Sequence, residues 1–238
     1  MKQNAGWADG PWVGFDTETT GVSPHHDRLV TAAVVTREAG VGPRTSDRVR
    51  TWLVNPGIEI PAGASQIHGI TTAHARTYGQ DPRDALEGVN TALADHLRTG
   101  EVMVVFNAGF DLPLLEADSI RHGVQPLKAR LNASVAPVVD PLVLDRALNR
   151  YRRGKRTLSD LATAYGIPLP TDTHKAEVDA ELALDLLAAM VEKYPQLREM
   201  SADELHSFQT HQHAIWAENF QAFLRRQGRD TTISTRWF

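Results

Sequence analysis

The chain has 238 residues, of which 42% are hydrophobic and 23% carry a charged side chain. This composition is typical of a globular protein that is long enough for one domain with a full core and an appendage. No run of about 18 apolar residues occurs, which excludes a membrane-spanning helix, and the polar N-terminus lacks the apolar core of a signal peptide. Cysteine is absent, which excludes disulfides, zinc-thiolate sites and thiol nucleophiles. Together these features predict a cytoplasmic protein.

The hydrophobic pattern alternates between strand and helix along most of the chain. Short apolar or alternating runs predict strands over residues 12–15, 29–36, 49–54, 102–106 and 138–140. Apolar residues at helical spacing, with Asp-Pro or Gly at several ends, predict helices over residues 82–100, 111–122, 157–165 and 176–193, and another that begins at Pro141. Three strands, a helix, and then alternating strands and helices predict an α/β fold, with a mixed five-stranded sheet flanked by helices.

The character of the chain changes after Tyr194-Pro195. Ser201 and Glu204 have the form of a capping box, and a final helix follows that Gly228 can end. The sequence therefore predicts a flexible N-terminus, a main domain, and a C-terminal helical extension with a tail, over residues 1–10, 11–194 and 195–238. The extension is unusually aromatic, so it either packs on the domain or contacts another protein. Packing is favoured for its helix, and both options stay open for Trp237-Phe238.

Three short segments, far apart in the chain, supply a set of four carboxylates and one histidine. Asp16 and Glu18 lie two residues apart at the end of a predicted strand, so they project from the same face, close enough to share a metal ion. A solvated loop or a helix cap is the alternative for this pair. Asp111 lies at a predicted helix start, where an ordinary N-cap is the alternative to a metal ligand. Four carboxylates and a histidine are what a two-metal phosphodiesterase requires.

The third segment contains Asp179 and His174. Asp179 lies in the first turns of an otherwise apolar helix, where a carboxylate is costly to bury without a partner such as a metal ion. On a continuous helix the two side chains would diverge by about 140°, so His174 is expected on the loop after Pro170. An imidazole there can take a proton from water near neutral pH. A plain surface histidine is the alternative.

Together, these segments resemble the motifs of the DEDDh family of 3′→5′ exonucleases, which are DnaQ-like and have an RNase H-like fold. The segment Asp16-Thr17-Glu18-Thr19-Thr20-Gly21 looks like the first motif in full. Asn107-Ala108-Gly109-Phe110-Asp111 resembles the second, and His174-Lys175-Ala176-Glu177-Val178-Asp179 the third. Ile67-His68-Gly69-Ile70-Thr71 is similar to the loop that family members place against the terminal nucleotide. The resemblance covers about residues 11–193.

The resemblance implies a role for each of the five residues. Asp16, Glu18 and Asp179 would hold the metal ion that activates water. Asp16 and Asp111 would hold a second ion on the leaving-group side, and His174 would be the general base. The ions would be two divalent cations, Mg²⁺ or Mn²⁺, which suit ligands that are all oxygens. The product would be a nucleoside 5′-monophosphate released from a 3′ end.

The resemblance also implies a set of substrate contacts. The expected residues are Thr17, Thr19, Ile67, His68, Ile70, Asn107 and Phe110. The threonines would hydrogen-bond the terminal sugar, the loop residues would press on the last base, and Phe110 would stack beneath another base. For the isoleucines and Phe110, core packing is the alternative.

A basic stretch lies between two predicted helices. Its six cations in eleven residues are Arg146, Arg150, Arg152, Arg153, Lys155 and Arg156. In a protein with a formal net charge of −4, this is the obvious place to track a phosphate backbone, and a solvated helix corner is the alternative. The net charge argues against a protein that coats nucleic acid by charge alone. It does not argue against a nuclease, because two divalent ions would offset the four acids.

We therefore expect a 3′→5′ exonuclease that acts mainly on single-stranded DNA in proofreading or repair, because a narrow site that presses on one base cannot easily admit a paired one. RNA 3′-end trimming is the alternative among enzymes, and the choice depends on whether a 2′-hydroxyl fits near Thr19 and His68. A subunit that keeps the fold in order to dock on a polymerase or nuclease, with a protein partner at the C-terminal segment, is the alternative from another class.

Overall fold

A computed structural model describes residues 6–42, 44, 47–171 and 174–238. Five strands form a mixed sheet in the spatial order β3-β2-β1-β4-β5, which confirms the predicted sheet. The strands are β1 Trp12–Thr19, β2 Leu29–Arg37, β3 Arg48–Leu53, β4 Val102–Val104 and β5 Val138–Val139. β1, β2 and β3 form an antiparallel meander, while β1, β4 and β5 are parallel neighbours. The carboxyl ends of the three parallel strands therefore lie at one edge of the sheet.

Nine α-helices surround the sheet within the described residues. They are α1 Ala62–His68, α2 Thr72–Tyr78, α3 Pro82–Arg98, α4 Ala108–Arg121, α5 Leu127–Leu131, α6 Pro141–Leu148, α7 Leu158–Ala164, α8 Ala176–Lys193 and α9 Ala202–Arg226. α8 has its predicted bounds, whereas the short helices α1, α2 and α5 are not predicted because five to seven residues are too few to show a helical period. α4 begins three residues earlier than predicted. None of these helices is both long and apolar enough to cross a membrane.

Strand β1 is buried on both of its faces. Val13 and Phe15 belong to the hydrophobic layer that α3 and α4 cover, and Trp12 belongs to the layer that α8 covers. All three side chains are fully buried. Successive residues of a strand point to opposite faces, so this burial explains why the start of β1 reads as a continuous apolar run.

Gly14 in β1 permits the close approach of α8. A Cβ atom at this position would lie 3.1 Å from the carbonyl oxygen of Ala180 and 3.1 Å from the side chain of Leu184. Helix α8 therefore packs almost directly on the strand backbone. This contact places Asp179, the neighbour of Ala180, beside Asp16, which lies two residues after the glycine.

The predicted flexible N-terminus is packed over residues 6–10. The Trp7 Nε1 atom donates a hydrogen bond to the Leu197 carbonyl at 3.1 Å, and the Trp7 ring stacks on that of Trp12 at 5.8 Å between ring centroids. Ala8 is buried. The indole supplies the apolar surface and the donor that hold this part of the segment on the domain. Residues 1–5 lie outside the described residues.

The C-terminal extension also packs on the domain. The fully buried side chain of Gln209 in α9 accepts a hydrogen bond from the Asp140 N–H at 2.7 Å and donates one to the Val138 carbonyl at 3.1 Å. It thereby satisfies main-chain groups along the edge strand β5. At the end of the tail, Trp237 is buried against the layer of α3 and α4. A Cβ atom at Gly109 would lie 2.9 Å from the Trp237 carbonyl oxygen.

Candidate active site

Three carboxylates come together where β1 meets α8. One oxygen each of Asp16, Glu18 and Asp179 lies within 4.8 Å of the other two. Asp16 and Glu18 reach this cluster from the same face of β1, as the strand alternation predicts. The pairing of β1 with β2 becomes irregular between Glu18 and Thr19, directly after the second carboxylate. Among the described residues, this cluster is the one group of three or more such side chains close enough to share a metal ion.

Asp111 approaches the cluster from the other side of β1. It lies in the first turn of α4, is only 4% exposed, and accepts a hydrogen bond of 2.5 Å from the Thr17 hydroxyl. The N-cap position belongs to Asn107, which has a left-handed φ of 63° and makes no side-chain cap. The alternative that Asp111 is an ordinary N-cap is therefore excluded. Its charge contributes to the raised pKa of Asp16, which places the fourth carboxylate at the same site.

Burial raises the pKa of all four carboxyl groups, and repulsion from other members of the set adds to the shifts of Asp16 and Glu18. Burial, followed by the charges of the three other carboxylates, raises the pKa of Asp16 well above its usual value. Burial, followed by the charge of Asp179, raises the pKa of Glu18 to about 7. Burial also raises the pKa of Asp111 to about 7, against the effect of its hydrogen bonds. The same cause raises the pKa of Asp179, which the nearby charge and N–H group of His174 oppose.

These shifts fit a site for divalent cations. Crowded carboxylates are held in a partly buried position, and within the described part of the chain no arginine lies within 4.0 Å of them. A divalent cation would offset the repulsion between these carboxylates, whose donor atoms are all oxygens, the ligands that hard ions such as Mg²⁺ prefer. The acidic cluster could therefore hold a metal ion.

His174 lies on the loop just before α8 and is exposed. Its φ of 70° is left-handed, so the chain turns sharply there before the helix begins at Ala176. The imidazole lines the same open cleft as Asp16 and Asp179. The expected loop position is thus observed, although part of that loop, residues 172 and 173, lies outside the described residues.

The four carboxylates open into a cleft of about 410 Å³. Its lining includes three of the expected substrate residues, Thr17, Asn107 and Phe110. It also includes residues outside the motifs: Phe106, Leu142, Arg156, Thr157 and Leu158. Of these, only Arg156 is anticipated, as part of the basic stretch. The leucines carry no functional signal in the sequence because apolar residues on a helix also suit a core.

Ile67 and His68 are the last two residues of α1 and do not belong to a loop as expected, whereas Ile70 follows Gly69, the residue that ends the helix. The segment lies beside the end of β1, where His68 interacts with the Thr19 main chain. His68 accepts a hydrogen bond from the Ile70 N–H at its Nδ1 atom, at 3.1 Å. Burial lowers the pKa of His68, and the nearby Thr19 main chain opposes this shift. Ile67 is 59% exposed, which excludes core packing, whereas Ile70 packs partly against a small apolar cluster of Val30, Ile60 and Ala75. Phe110 combines the two alternatives, since its side chain lines the cleft and also packs partly against the core.

Asp140 is a structural residue of the site that the motifs do not reveal. Its buried carboxylate accepts hydrogen bonds from the main-chain N–H groups of Asn107 and Ala108, each at 3.0 Å, and from that of Leu142 at 2.9 Å. Burial raises the pKa of Asp140, and these bonds oppose the shift. Asp140 therefore holds the turn from which Asp111 projects. Its only signal in the sequence is an Asp-Pro pair at a helix start.

The basic stretch divides into inward and outward side chains. Arg156 forms an ion pair with the buried Asp145 at 2.7 Å, and Arg152 donates to the carbonyls of Lys155 and Asp160. These two arginines hold the connection between α6 and α7 in place. The other expected backbone contacts are exposed: Arg150, Arg153 and Lys155.

Comparisons with known proteins agree with this geometry. The DNA polymerase III subunit epsilon-like protein of Rhodobacter capsulatus is 34% identical over 185 residues, which are 75% of this chain and 24% of the relative. The DNA polymerase III subunit epsilon of Treponema pallidum is 29% identical over 184 residues, or 76% of each protein. Escherichia coli exonuclease I, solved with a dA16 oligonucleotide, has a TM-score of 0.66 at 19% identity, covering 80% of this chain and 42% of that one.

The likeness to exonuclease I confirms the expected RNase H-like fold. The chain spans only about a quarter of the length of the Rhodobacter relative. The family model of the RNase T exonucleases matches residues 13–187, a range that contains all four carboxylates and His174. The chain therefore belongs to the RNase T exonuclease family.

Proposed function

We propose that the protein is a metal-dependent 3′→5′ exonuclease that hydrolyses the terminal phosphodiester bond of single-stranded DNA. The observation that carries this proposal is the cluster of Asp16, Glu18 and Asp179, with Asp111 beside it, in a chain of the RNase T exonuclease family. A shared site with four crowded carboxylates has no use in a purely structural domain, since their repulsion costs stability.

The carboxylates divide between two cation sites in this proposal. Asp16, Glu18 and Asp179 would hold one divalent ion, and Asp16 and Asp111 a second, with Mg²⁺ or Mn²⁺ as the cations. When bound, the two ions would activate water and stabilise the charge on the attacking and departing oxygens of an in-line displacement. Thr17 keeps Asp111 in its rotamer for this purpose, and Asp140 holds the turn that carries it.

His174 would act as the general base. It lines the cleft with the carboxylates and takes the proton of the attacking water. The oxygen of that water forms the new bond to phosphorus while the bond from phosphorus to the 3′ oxygen breaks. The products are a nucleoside 5′-monophosphate and a strand shortened by one nucleotide, whose 3′ oxygen takes a proton from solvent.

The cleft supports single-stranded DNA as the substrate. Thr17, Asn107 and Phe110 line it and would contact the terminal nucleotides, with Phe110 as a stacking surface that tolerates every base. Thr19, the last residue of β1, and the nearby segment with Ile67, His68 and Ile70 at the end of α1 would contact the last sugar and base. DNA is favoured over RNA because the relatives are named as DNA polymerase subunits. The same names favour a role in proofreading or repair, in the cytoplasm.

Digestion of matched 5′-labelled DNA and RNA strands tests this proposal. The strands are incubated with Mg²⁺, Mn²⁺ or EDTA, beside the near-isosteric variant Asp16→Asn. We expect a DNA ladder that shortens from the 3′ end and is lost with EDTA and in the variant. A faster RNA ladder would change the substrate class. No ladder with any metal, from folded protein, would overturn the proposal and favour a subunit that docks on a partner.

A further inference from the structure

A second groove lies between α6 and α9. The residues that line its volume of about 190 Å³ are Arg146, Ala147, Arg150, Arg156, Gln212, Ile215, Trp216 and Asn219. Arg156 also lines the catalytic cleft, so the groove and the cleft adjoin at this side chain. One wall of the groove is α9, which lies beyond residues 13–187 that the family model matches. The groove is therefore built in part by the C-terminal extension.

The groove is basic. Three arginines line it, and no acidic side chain belongs to its lining within the described part of the chain. Arg156 is paired with Asp145 beneath the surface. Arg146 and Arg150, in contrast, form no ion pair with any described residue. Unpaired guanidinium groups present several N–H donors, a geometry that suits phosphate oxygens.

A row of aromatic rings continues from the groove along α9. The Arg146 guanidinium lies 3.7 Å from the centre of the Trp216 ring. The Trp216 and Phe220 rings stack at 5.4 Å between centroids, and Phe220 and Phe223 at 6.4 Å, with interplanar angles of 15° and 13°. Phe220 is 36% exposed and Phe223 is 47% exposed. Exposed aromatic rings beside arginines are the combination that proteins use to bind single-stranded nucleic acid.

We propose that this groove and the aromatic row bind the single strand on the 5′ side of the cleaved nucleotide. The inference rests on the proposed function, in which the leaving group is a polynucleotide that must pass out of the cleft. Arg156 joins the cleft to the groove, Arg146 and Arg150 contact phosphates there, and bases stack on the exposed phenylalanines. From Trp216 to Phe223 the row extends about 10 Å along the helix, which leaves room for more than one base.

Binding of a long strand without hydrolysis is the first test. The dissociation constant of 5′-fluorescein-labelled oligo(dT) of twenty nucleotides is measured by anisotropy in EDTA, at several salt concentrations. Arg150→Ala is expected to raise the dissociation constant several-fold. It is also expected to reduce the magnitude of the negative slope of log affinity against log salt by about 0.7. Phe223→Ala is expected to raise it about five-fold or more with the slope unchanged. Both positions are exposed, and thermal melting checks that each variant is folded.

Arg225→Ala is the matched control. Arg225 is an exposed cation of the same helix, but it lies two residues after Phe223 and therefore points about 160° away from the aromatic row. This control is expected to bind the long strand as the wild type does. Equal loss in Arg225→Ala and Arg150→Ala would show a general effect of charge and would overturn the assignment of the groove.

A second readout separates this inference from the proposed function. With metal present, the ratio of kcat/KM for the twenty-nucleotide strand to kcat/KM for a trinucleotide is expected to fall in Arg150→Ala and Phe223→Ala. If the wild type digests the long strand and both variants bind and digest it equally well, the proposed role of the groove is wrong, but the proposed exonuclease activity is supported. If the wild type digests nothing, but the affinity for the long strand in EDTA falls in both variants, the proposed exonuclease activity is wrong and strand binding by the groove is supported.

Discussion

The Thr17 hydroxyl donates a hydrogen bond of 2.5 Å to the buried Asp111 carboxylate, and this bond joins β1 to α4. Thr17 stands between Asp16 and Glu18, so three successive residues of one strand serve two sides of the site. The carboxylates point towards α8 and the hydroxyl points towards α4. A single short strand segment thereby brings together carboxylates from two helices that lie on opposite faces of the sheet, Asp179 of α8 and Asp111 of α4.

Replacement of Thr17 by Val tests this bond. The variant keeps the branched shape but leaves the buried Asp111 oxygen without its donor, so we expect the free energy of unfolding to fall by about 1–3 kcal/mol. We also expect a higher Mn²⁺ concentration for half-maximal activity, because Asp111 is less firmly oriented. Urea unfolding and metal titration of nuclease activity measure the two effects. Thr17→Ser keeps the hydroxyl and is expected to restore both values. Wild-type behaviour of Thr17→Val would show that the bond is dispensable.

The raised carboxyl pKa values predict how the stability of the metal-free protein depends on pH. In the unfolded chain these groups titrate near pH 4, whereas the pKa values of Glu18 and Asp111 are about 7 in the folded protein. Between these values the folded state binds more protons, so the contribution to stability is present at low pH and is lost as pH rises through about 7. We expect urea unfolding in EDTA to show this loss between about pH 4 and pH 7, with little further change above that range.

Metal ions and one variant provide the controls for that experiment. Mn²⁺ is expected to restore stability at the higher pH, since it binds the ionised carboxylates of the folded state. Asp111→Asn removes one repelling charge and is expected to make the pH dependence shallower in EDTA. Stability that rises with pH over this range, or that does not respond to Mn²⁺, would contradict the assignment of a cation site.

Replacement of His174 by Ala separates proton transfer from metal binding. We expect kcat to fall about 10²–10⁴-fold, which is the usual contribution of a positioned base. The affinity for Mn²⁺, measured by calorimetry, is expected to change little, because His174 is not one of the carboxylate ligands. His26→Ala changes an exposed histidine of the β1–β2 connection and serves as the control. A His174→Ala enzyme with the wild-type kcat would remove the histidine from the mechanism.

Substitution of Gly14 tests whether the close packing of α8 on β1 positions the carboxylates of the site. A valine there would press on the Ala180 carbonyl and on Leu184, so α8 must move away from β1. We expect Gly14→Val to lose about 1–3 kcal/mol of stability, the usual cost of overpacking, and to weaken metal binding because Asp179 moves with the helix. Gly14→Ala is expected to show smaller changes. Gly63→Ala adds a methyl group where no atom lies within 4 Å, and its stability is expected to match or exceed that of the wild type.

The sequence predicts the elements with strong periodic patterns, whereas the full set of candidate site residues comes from the resemblance to the exonuclease motifs. The long Ala- and Leu-rich run of α8 gives its bounds correctly, and the period of a strand places Asp16 and Glu18 on one face. The position of Asp111 is less exact. Three residues of the motif before it already belong to α4, and Asn107 adopts the left-handed conformation at the helix start. No pattern in the sequence predicts the left-handed conformation of Asn107.

Residues that act across the fold are not visible in the sequence. Asp140 binds the turn at Asn107 from 33 positions away, and Gln209 binds the main chain of Asp140 from 69 positions away. No local sequence pattern indicates the role of either residue, because that role depends on the packing of elements that are far apart in the chain. The basic stretch illustrates the same limit. Six cations within eleven residues suggest one surface. The packing of α6 against α9 instead places Arg146, Arg150 and Arg156 at one groove, whereas Arg152 binds main-chain carbonyls nearby.

The most direct test of the central claim is the identity of the released nucleotide. Single-stranded DNA is digested with Mn²⁺ in ¹⁸O-labelled water, and the mononucleotides are analysed by mass spectrometry. Attack of water on the terminal phosphorus predicts nucleoside 5′-monophosphates that carry one solvent oxygen, and their release is expected to be abolished in Asp16→Asn. Release of nucleoside 3′-monophosphates, internal cleavage products, or undiminished activity of Asp16→Asn would contradict the account.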